Sequence, residues 1–203
     1  MNLFKNTFAK MFHGQHMPDL GMHSEIDSPI SRYIGKGDEP FYYSICADPG
    51  CTEESFEAIV SREIQIAKNR KRSSFEWKTY DIFNQAFTHD ILLRSGFKLN
   101  RKAKLMYVDP AIQLTLSPSV TVEEISDQAA FDKLIYVCET VFGESTDWLK
   151  NGLQQEVLSH KGFVKAYLAY VNGELASTGW VKIYSQIAFL FGGSTFLKLR
   201  GMG

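Results

Sequence analysis

The residues with the most capacity for chemistry stand at the end of the chain. An apolar run, IAFLFGGST (187–195), leads through FLKL into Arg200-Gly201-Met202-Gly203. Glycine lets a backbone approach a ligand with no Cβ in the way, and a run of amides can turn together toward an anion. The tetrapeptide alone is more at home in an ordinary tail, so its weight comes from the elements that lead into it. The other reactive side chains are less telling. Cys46, Cys51 and Cys138 form an odd, scattered set, which suits reduced thiols in a cytoplasm better than a disulfide framework. His13, His16 and His23 lie in an irregular segment without nearby cysteine partners, and no metal is expected. His89 and His160 fall on predicted helices and need no ligand. Glu174 adjoins a turn and reads as a solvated residue rather than a base. No residue declares itself a general acid or base.

The elements in front of the glycine-rich end are well marked. FVKAYLAYVNGELASTGWVKIY (163–184) holds two alternating runs around Asn172-Gly173, the pair preferred in a type I′ hairpin because both turn positions need positive φ. Gly179 interrupts the second run and marks either a bulge or a weak point. The run 187–195, almost wholly apolar until its end, predicts a strand buried on both faces. Upstream, VTVEEI (120–125) predicts a strand. Ser126 or Asp127 can cap a helix whose apolar stripe is Phe131, Leu134, Ile135, Cys138, Val141 and Phe142 and which Gly143 ends. Cys138 lies on that stripe and reads as core. Ser145 or Thr146 starts a further helix through about His160, with Trp148, Leu149, Leu153 and Val157 as its apolar face.

The first part of the chain reads as a small α/β unit. Residues 1–31 show no clear period and are taken as an arm or short helix. After a Gly-Lys-Gly-Asp turn, FYYSICA between Pro40 and Pro49 predicts a strand. Thr52 can cap a helix through about Arg70, with Phe56, Ile59, Val60, Ile64 and Ala67 at helical spacing and Glu53 and Glu54 in its first turn. The basic KNRKR (68–72) falls at the end of that helix, where the helix dipole favours cations. FEWKTYD (75–81) predicts a strand, 84–95 a short helix stopped by Gly96, and KLMYVDP (104–110) another strand. The Leu- and Thr-rich stretch 111–119, with Pro118, is the candidate linker.

Strand, two helices, antiparallel hairpin and a central strand leading into R-x-x-G together resemble the opening of the GNAT superfamily of N-acetyltransferases, whose signature is R-x-x-G-x-G/A. FEWKTY, a short helix, SGF and KLMYVD also resemble a segment often found before the GNAT domain in uncharacterised bacterial acetyltransferases. The likeness runs from about Phe75 onward and is sharp over 163–203. It implies an α/β (mixed-sheet α+β) fold: an arm (1–31), a small α/β domain (32–119) shaping the acceptor side, and the N-terminal half of a GNAT domain (120–203). It also implies acetyl-CoA as cosubstrate and a primary amine as acceptor. The backbone of Gly193, Ser194 and Thr195 would pair with the pantetheine arm, and Arg200, Gly201, Met202 and Gly203 would open the pyrophosphate loop at a helix N-terminus. Leu197 stands where relatives often have proline. The second small residue of the signature would be residue 205, so the expectation is a chain cut inside its phosphate loop. Two outcomes follow: an acetyltransferase that needs its missing half, or an inactive fragment acting as a binding or self-associating module. A small-ligand- or protein-binding α/β domain is a more remote alternative. An apolar strand left without its second neighbour is a hydrophobic edge, so self-association is expected.

Composition excludes several other classes. The chain has 203 residues, 44% of them hydrophobic and 13% aromatic, ample for a packed core, and the length leans toward two domains. A formal net charge of −1 and an isoelectric point of about 6.5 lack the electrostatic footprint of a nucleic-acid binder. No apolar run approaches the ~20 residues of a membrane span, and the polar N-terminus does not resemble a signal peptide. A cytoplasmic protein is expected.

Overall fold

A computed structural model of the protein describes residues 22–35, 42–46, 48, 50–72, 74–100, 102, 115–159, 162–184 and 187–201. Two compact units divide the chain, one within Met22–Met106 and the other within Tyr107–Gly203.

In the first unit, β1 (Met22–Asp27), β2 (Ile30–Gly35), β3 (Tyr42–Cys46) and β4 (Glu76–Trp77) form a sheet in that order. The first three strands are antiparallel; β4 joins β3 in parallel through Tyr43 and Ser44. Strand β1 and the first two residues of β2 occupy residues that sequence reading assigned to an irregular arm (1–31), and the rest of β2 opens the segment read as a small α/β unit. No alternation announces the β1–β2 hairpin, because every residue of β2 is buried, polar Ser31 and Arg32 included. The strand predicted over 75–81 contracts to Glu76–Trp77. The strand predicted over 104–110 and part of the linker lie outside the described residues.

Helix α1 (Glu53–Asn69) forms where its cap predicts. Thr52 Oγ1 accepts from the Ser55 amide at 3.2 Å, and Ser55 Oγ accepts from the Thr52 amide at 2.9 Å. This reciprocal pairing satisfies two donors the helix would otherwise leave open. Its buried line is Phe56, Val60, Glu63 and Ala67, so a carboxylate stands in the apolar stripe. Arg32 of β2 explains it: Nε and one terminal nitrogen donate to the two Glu63 oxygens, each at 2.6 Å, and Ser44 Oγ adds a bond at 3.3 Å. The Glu63 carboxylate holds the Arg32 guanidinium above its ordinary pKa. Arg70 in KNRKR makes a two-bond pair with Glu25 of β1, at 2.8 and 2.9 Å. Helix α2 (Thr88–Arg94) is shorter than predicted and ends at Gly96, φ +92°. Ile91 and Leu92 pack it against Phe56 and Val60.

The second unit carries β5 (Val120–Glu124), helices α3 (Gln128–Phe142) and α4 (Asp147–Leu158), then β6 (Val164–Val171), β7 (Glu174–Tyr184) and β8 (Ile187–Thr195). The strands form one antiparallel sheet in chain order. Asp127 caps α3 through a 2.8 Å bond from the Ala130 amide, and Gly143 closes it at φ +72°. Phe131, Leu134, Ile135 and Cys138 from α3 and Leu149, Leu153 and Val157 from α4 meet Val164, Ala166, Leu168 and Trp180 in one core. Two details differ from the stripe read in the sequence: Phe142 is exposed, because the helix ends there, and α4 stops at Leu158. His160 and the Trp148 side chain lie outside the described residues. The hairpin turn is as predicted, with Asn172 at φ +51° and Gly173 at φ +80°.

Strand β8 is not buried on both faces. It is the outer strand of the described sheet, the core helices cover one face, and Leu190 on the other is 82% exposed. The apolar run gave no sign of this asymmetry, since Ala188 and Leu190 are as apolar as the inward residues. Among the described residues no helix is long and apolar enough to cross a membrane.

Candidate functional site

Register shifts in the second unit occur between β6 and β7, at Ala169/Tyr170, and between β7 and β8. Register runs cleanly from Tyr184↔Ile187 to Trp180↔Phe191 and resumes at Thr178↔Ser194. Gly179 therefore faces two residues, Gly192 and Gly193, and β8 carries a bulge with the extra residue on its side. Gly179 thus marks the bulge that sequence reading left open.

Three side chains explain why the bulge forms here. Trp180 is buried in the core, and its ring lies where a side chain at position 192 would go: an added Cβ would overlap Cζ3, Cη2 and Cε3. Gly192 also sits at φ +62°, a conformation that favours glycine. Ser194 turns inward, 1% exposed; its Oγ donates to Gly192 O at 3.1 Å and lies 3.8 Å from Cys138 Sγ on α3. Burial pushes the Cys138 thiol above its ordinary pKa, as suits a core cysteine. Ser177 Oγ donates to Ser194 O at 2.8 Å and lies 2.9 Å from Thr195 Oγ1. The bulge is thus held by side-chain hydroxyls on one side and an indole on the other.

Gly193 is the opposite case. It is exposed, its φ is not positive, and a Cβ there would meet nothing within 4 Å. The outward surface of β8 at this point is bare backbone beside open space. The chain beyond is docked rather than loose. The Phe196 amide bonds Ala176 O at 3.0 Å, and Leu199 in the short 3-10 turn Leu197–Leu199 packs on Val171 and Ala176. Lys198 pairs with Glu174, so Glu174 is a surface ion-pair partner rather than a base. Leu197 is exposed. Arg200 is exposed, its Nε on Thr195 O at 3.2 Å, and it pairs with no carboxylate among the described residues. Gly201 follows at φ +75°.

Of the predicted site residues, the structure brings Gly193, Ser194, Thr195, Arg200 and Gly201 to one end of β8, while Met202 and Gly203 lie outside the described residues. Ser194 offers only its backbone outward. Sequence reading missed Gly192, whose signal was the Gly-Gly pair inside an apolar strand. Among the described residues no group of three or more His, Cys, Asp or Glu side chains could hold a metal ion. His23 lies 3.5 Å from Glu25, and His89 lies beside Asn84; neither joins a cluster, and His13 and His16 lie outside the described residues.

No protein-family model matches the chain, and no curated protein matches it. Solved structures do. The chain is similar to a GCN5-related N-acetyltransferase from Kribbella flavida, with a TM-score of 0.71 and 12% identity, covering 98% of this chain and 74% of that one. It is also similar to a functionally unknown conserved protein from Staphylococcus epidermidis ATCC 12228, with a TM-score of 0.52 and 11% identity, covering 90% and 75% of the two chains. At these identities the likeness shows the fold alone, a mixed α/β one shared with those two structures.

Proposed function

We propose that the chain is a GNAT-type N-acetyltransferase that moves acetyl from acetyl-CoA to a primary amine. The observation that carries this reading is the bulged outer strand: bare backbone at Gly193, then a docked turn that presents Arg200 and Gly201. An extended pantetheine arm fits a strand edge that β7 occupies on one side only among the described strands. Its amide groups would pair with the backbone of Gly193, Ser194 and Thr195 as an added strand pairs with a sheet edge. The Arg200 guanidinium and the amides that follow Gly201, with Met202 and Gly203, would take the pyrophosphate.

The reaction forms a C–N bond as the amine lone pair attacks the thioester carbonyl. The C–S bond breaks, its electron pair leaves with sulfur, and the amine's proton is passed on so that the thiolate leaves as a thiol. A backbone amide freed from the ladder by the bulge would donate to the carbonyl oxygen where negative charge develops, which is oxyanion stabilisation. No side chain is assigned as base or acid. The free thiols of Cys46, Cys51 and Cys138 favour a reducing, cytoplasmic setting.

Calorimetric titration with coenzyme A, and separately with pantetheine, tests this reading. Saturable binding that weakens about tenfold or more for pantetheine and for Arg200→Ala supports it, since a charge-assisted hydrogen bond is worth ~1.5–3 kcal/mol. Equal, weak affinity for both ligands would refute it.

A second reading, a module that self-associates without catalysing transfer, is favoured by the outward face of the sheet. Val122, Ile183 and Leu190 are all exposed there. It expects a concentration-dependent dimer in sedimentation velocity that Leu190→Lys abolishes; a wild-type chain that stays monomeric at high concentration removes it.

A further inference from the structure

The two partly buried cysteines of the first unit take no part in the function proposed for the second. Cys46 ends β3 and Cys51 stands immediately before Thr52, the cap of α1; their sulfurs lie 3.7 Å apart. We propose that Cys46 and Cys51 are a reversible modification site: a dithiol that a peroxide or a small disulfide oxidises to an intramolecular disulfide.

The placement supports this on three counts. First, the sulfurs already touch, so joining them needs a closure of about 1.6 Å to reach the ~2.05 Å of a disulfide bond. Between the two cysteines Asp48 accepts from the Gly50 amide at 2.7 Å and from the Cys51 amide at 3.4 Å. Second, both thiols are partly accessible, in contrast to Cys138, which is fully buried. They line a shallow cleft with Phe56, Trp77, Phe83 and Phe87. Third, Cys51 lies outside the β2–β3 ladder that holds Cys46; in the proposed course Cys51 attacks and Cys46, whose thiol burial pushes up to about 12, resolves.

With hydrogen peroxide, the Cys51 thiolate attacks one oxygen, the O–O bond breaks, and Cys51 becomes a sulfenic acid as water leaves. Cys46 sulfur then displaces the hydroxyl, forming the S–S bond and a second water. Two thiols and one peroxide give one disulfide and two waters. With glutathione disulfide, Cys51 forms a mixed disulfide and releases one glutathione; Cys46 displaces the other, and both thiol hydrogens leave on the two glutathiones. A dithiol reductant reverses either course.

The full chain, reduced and then exposed to glutathione disulfide, tests the proposal. After denaturing alkylation, two of the three thiols should be lost without a glutathione adduct, and a Cys46–Cys51 cross-linked peptide should appear. Trp77 shares the cleft, so its fluorescence should fall on oxidation and recover with reductant. Cys46→Ser should instead trap a stable glutathione adduct on Cys51. Phenylarsine oxide, which bridges close thiol pairs, should bind the native wild type with one equivalent and be removed by a dithiol but not by a monothiol. A wild type that accumulates glutathione on Cys51 while Cys46 stays free overturns the proposal. So does one that keeps all three thiols and ignores the arsenical.

Discussion

Gly192 and Gly193 are neighbours in one bulge, yet alanine at the two positions should have opposite consequences. At 192 an L-residue must adopt φ near +62°, which costs ~1–2 kcal/mol in the left-handed region. Its Cβ must also displace the packed six-membered ring of Trp180, and forcing atoms into a filled core costs typically ~1–3 kcal/mol. Together Gly192→Ala should lose about 2–5 kcal/mol. At 193 neither term applies, so Gly193→Ala should stay within about 0.5 kcal/mol of wild type; its methyl instead projects toward the space assigned to the pantetheine arm and should weaken coenzyme A binding. Urea unfolding followed by 19F NMR of 5-fluorotryptophan-labelled protein reads the Trp180 resonance among the three tryptophans. The Gly192→Ala midpoint should fall by at least about 0.7 M at a slope of ~1–3 kcal/mol/M. A double-mutant cycle isolates the clash: in a Trp180→Ala background Gly192→Ala should cost only its backbone term, leaving a coupling of ~1–3 kcal/mol. Equal midpoints for the two glycine variants, or zero coupling, would refute the account of the bulge.

The first unit makes two further predictions. Glu63→Gln leaves Arg32, 5% exposed, with Asp27 as its close partner; loss of about 3 kcal/mol is expected, the low end for breaking a buried pair because Asp27 remains, and a loss below 1 kcal/mol in urea unfolding read at Trp77 would contradict it. The hydrogen bond from Arg32 holds Asp27, and that from Arg70 holds Glu25, below their ordinary pKa values. Their stabilisation is therefore complete above the unfolded carboxylate range, about 4, and is lost as pH falls through the lowered folded values. The unfolding midpoint should drop below pH 4 in the wild type and drop less in the Glu25→Gln/Asp27→Asn double variant.

How much of this was legible depended on whether the deciding interaction was local. The Thr52 and Asp127 caps, the Asn172-Gly173 turn and the Gly143 stop depend on residues within one turn of the chain, and all four appear where the sequence places them. Strand β2 did not, because its burial of Arg32 makes sense only once Glu63, 31 residues away, is seen beside it. The exposure of Leu190 was equally hidden: hydropathy records that a side chain is apolar, not that its face of the sheet lacks a covering layer among the described residues. At the site, Arg200-Gly201 and the Gly-Ser-Thr strand end were visible as a pattern. The role of Gly192 was not, since it arises from the Trp180 ring, twelve residues upstream and across a strand pair.

The bulge also joins what otherwise look like two separate demands on β8. Thr178 and Trp180, two apart on β7, both face the core, and their register partners are Ser194 and Phe191, three apart on β8. In a regular strand residues three apart point to opposite faces. If β8 were regular, either Phe191 would leave the core cluster or Ser194 would lose Cys138 and Gly192 O as neighbours. The extra residue restores the parity, and it must be accommodated where the Trp180 ring leaves room for no side chain, which selects glycine at 192. Its neighbour, released from the ladder and facing outward, becomes bare backbone next to open space. The geometry proposed to take a thioester carbonyl and an extended pantetheine arm is therefore a by-product of packing one tryptophan and one serine against α3. A change to that core will be felt at the site even when no residue of the site is touched.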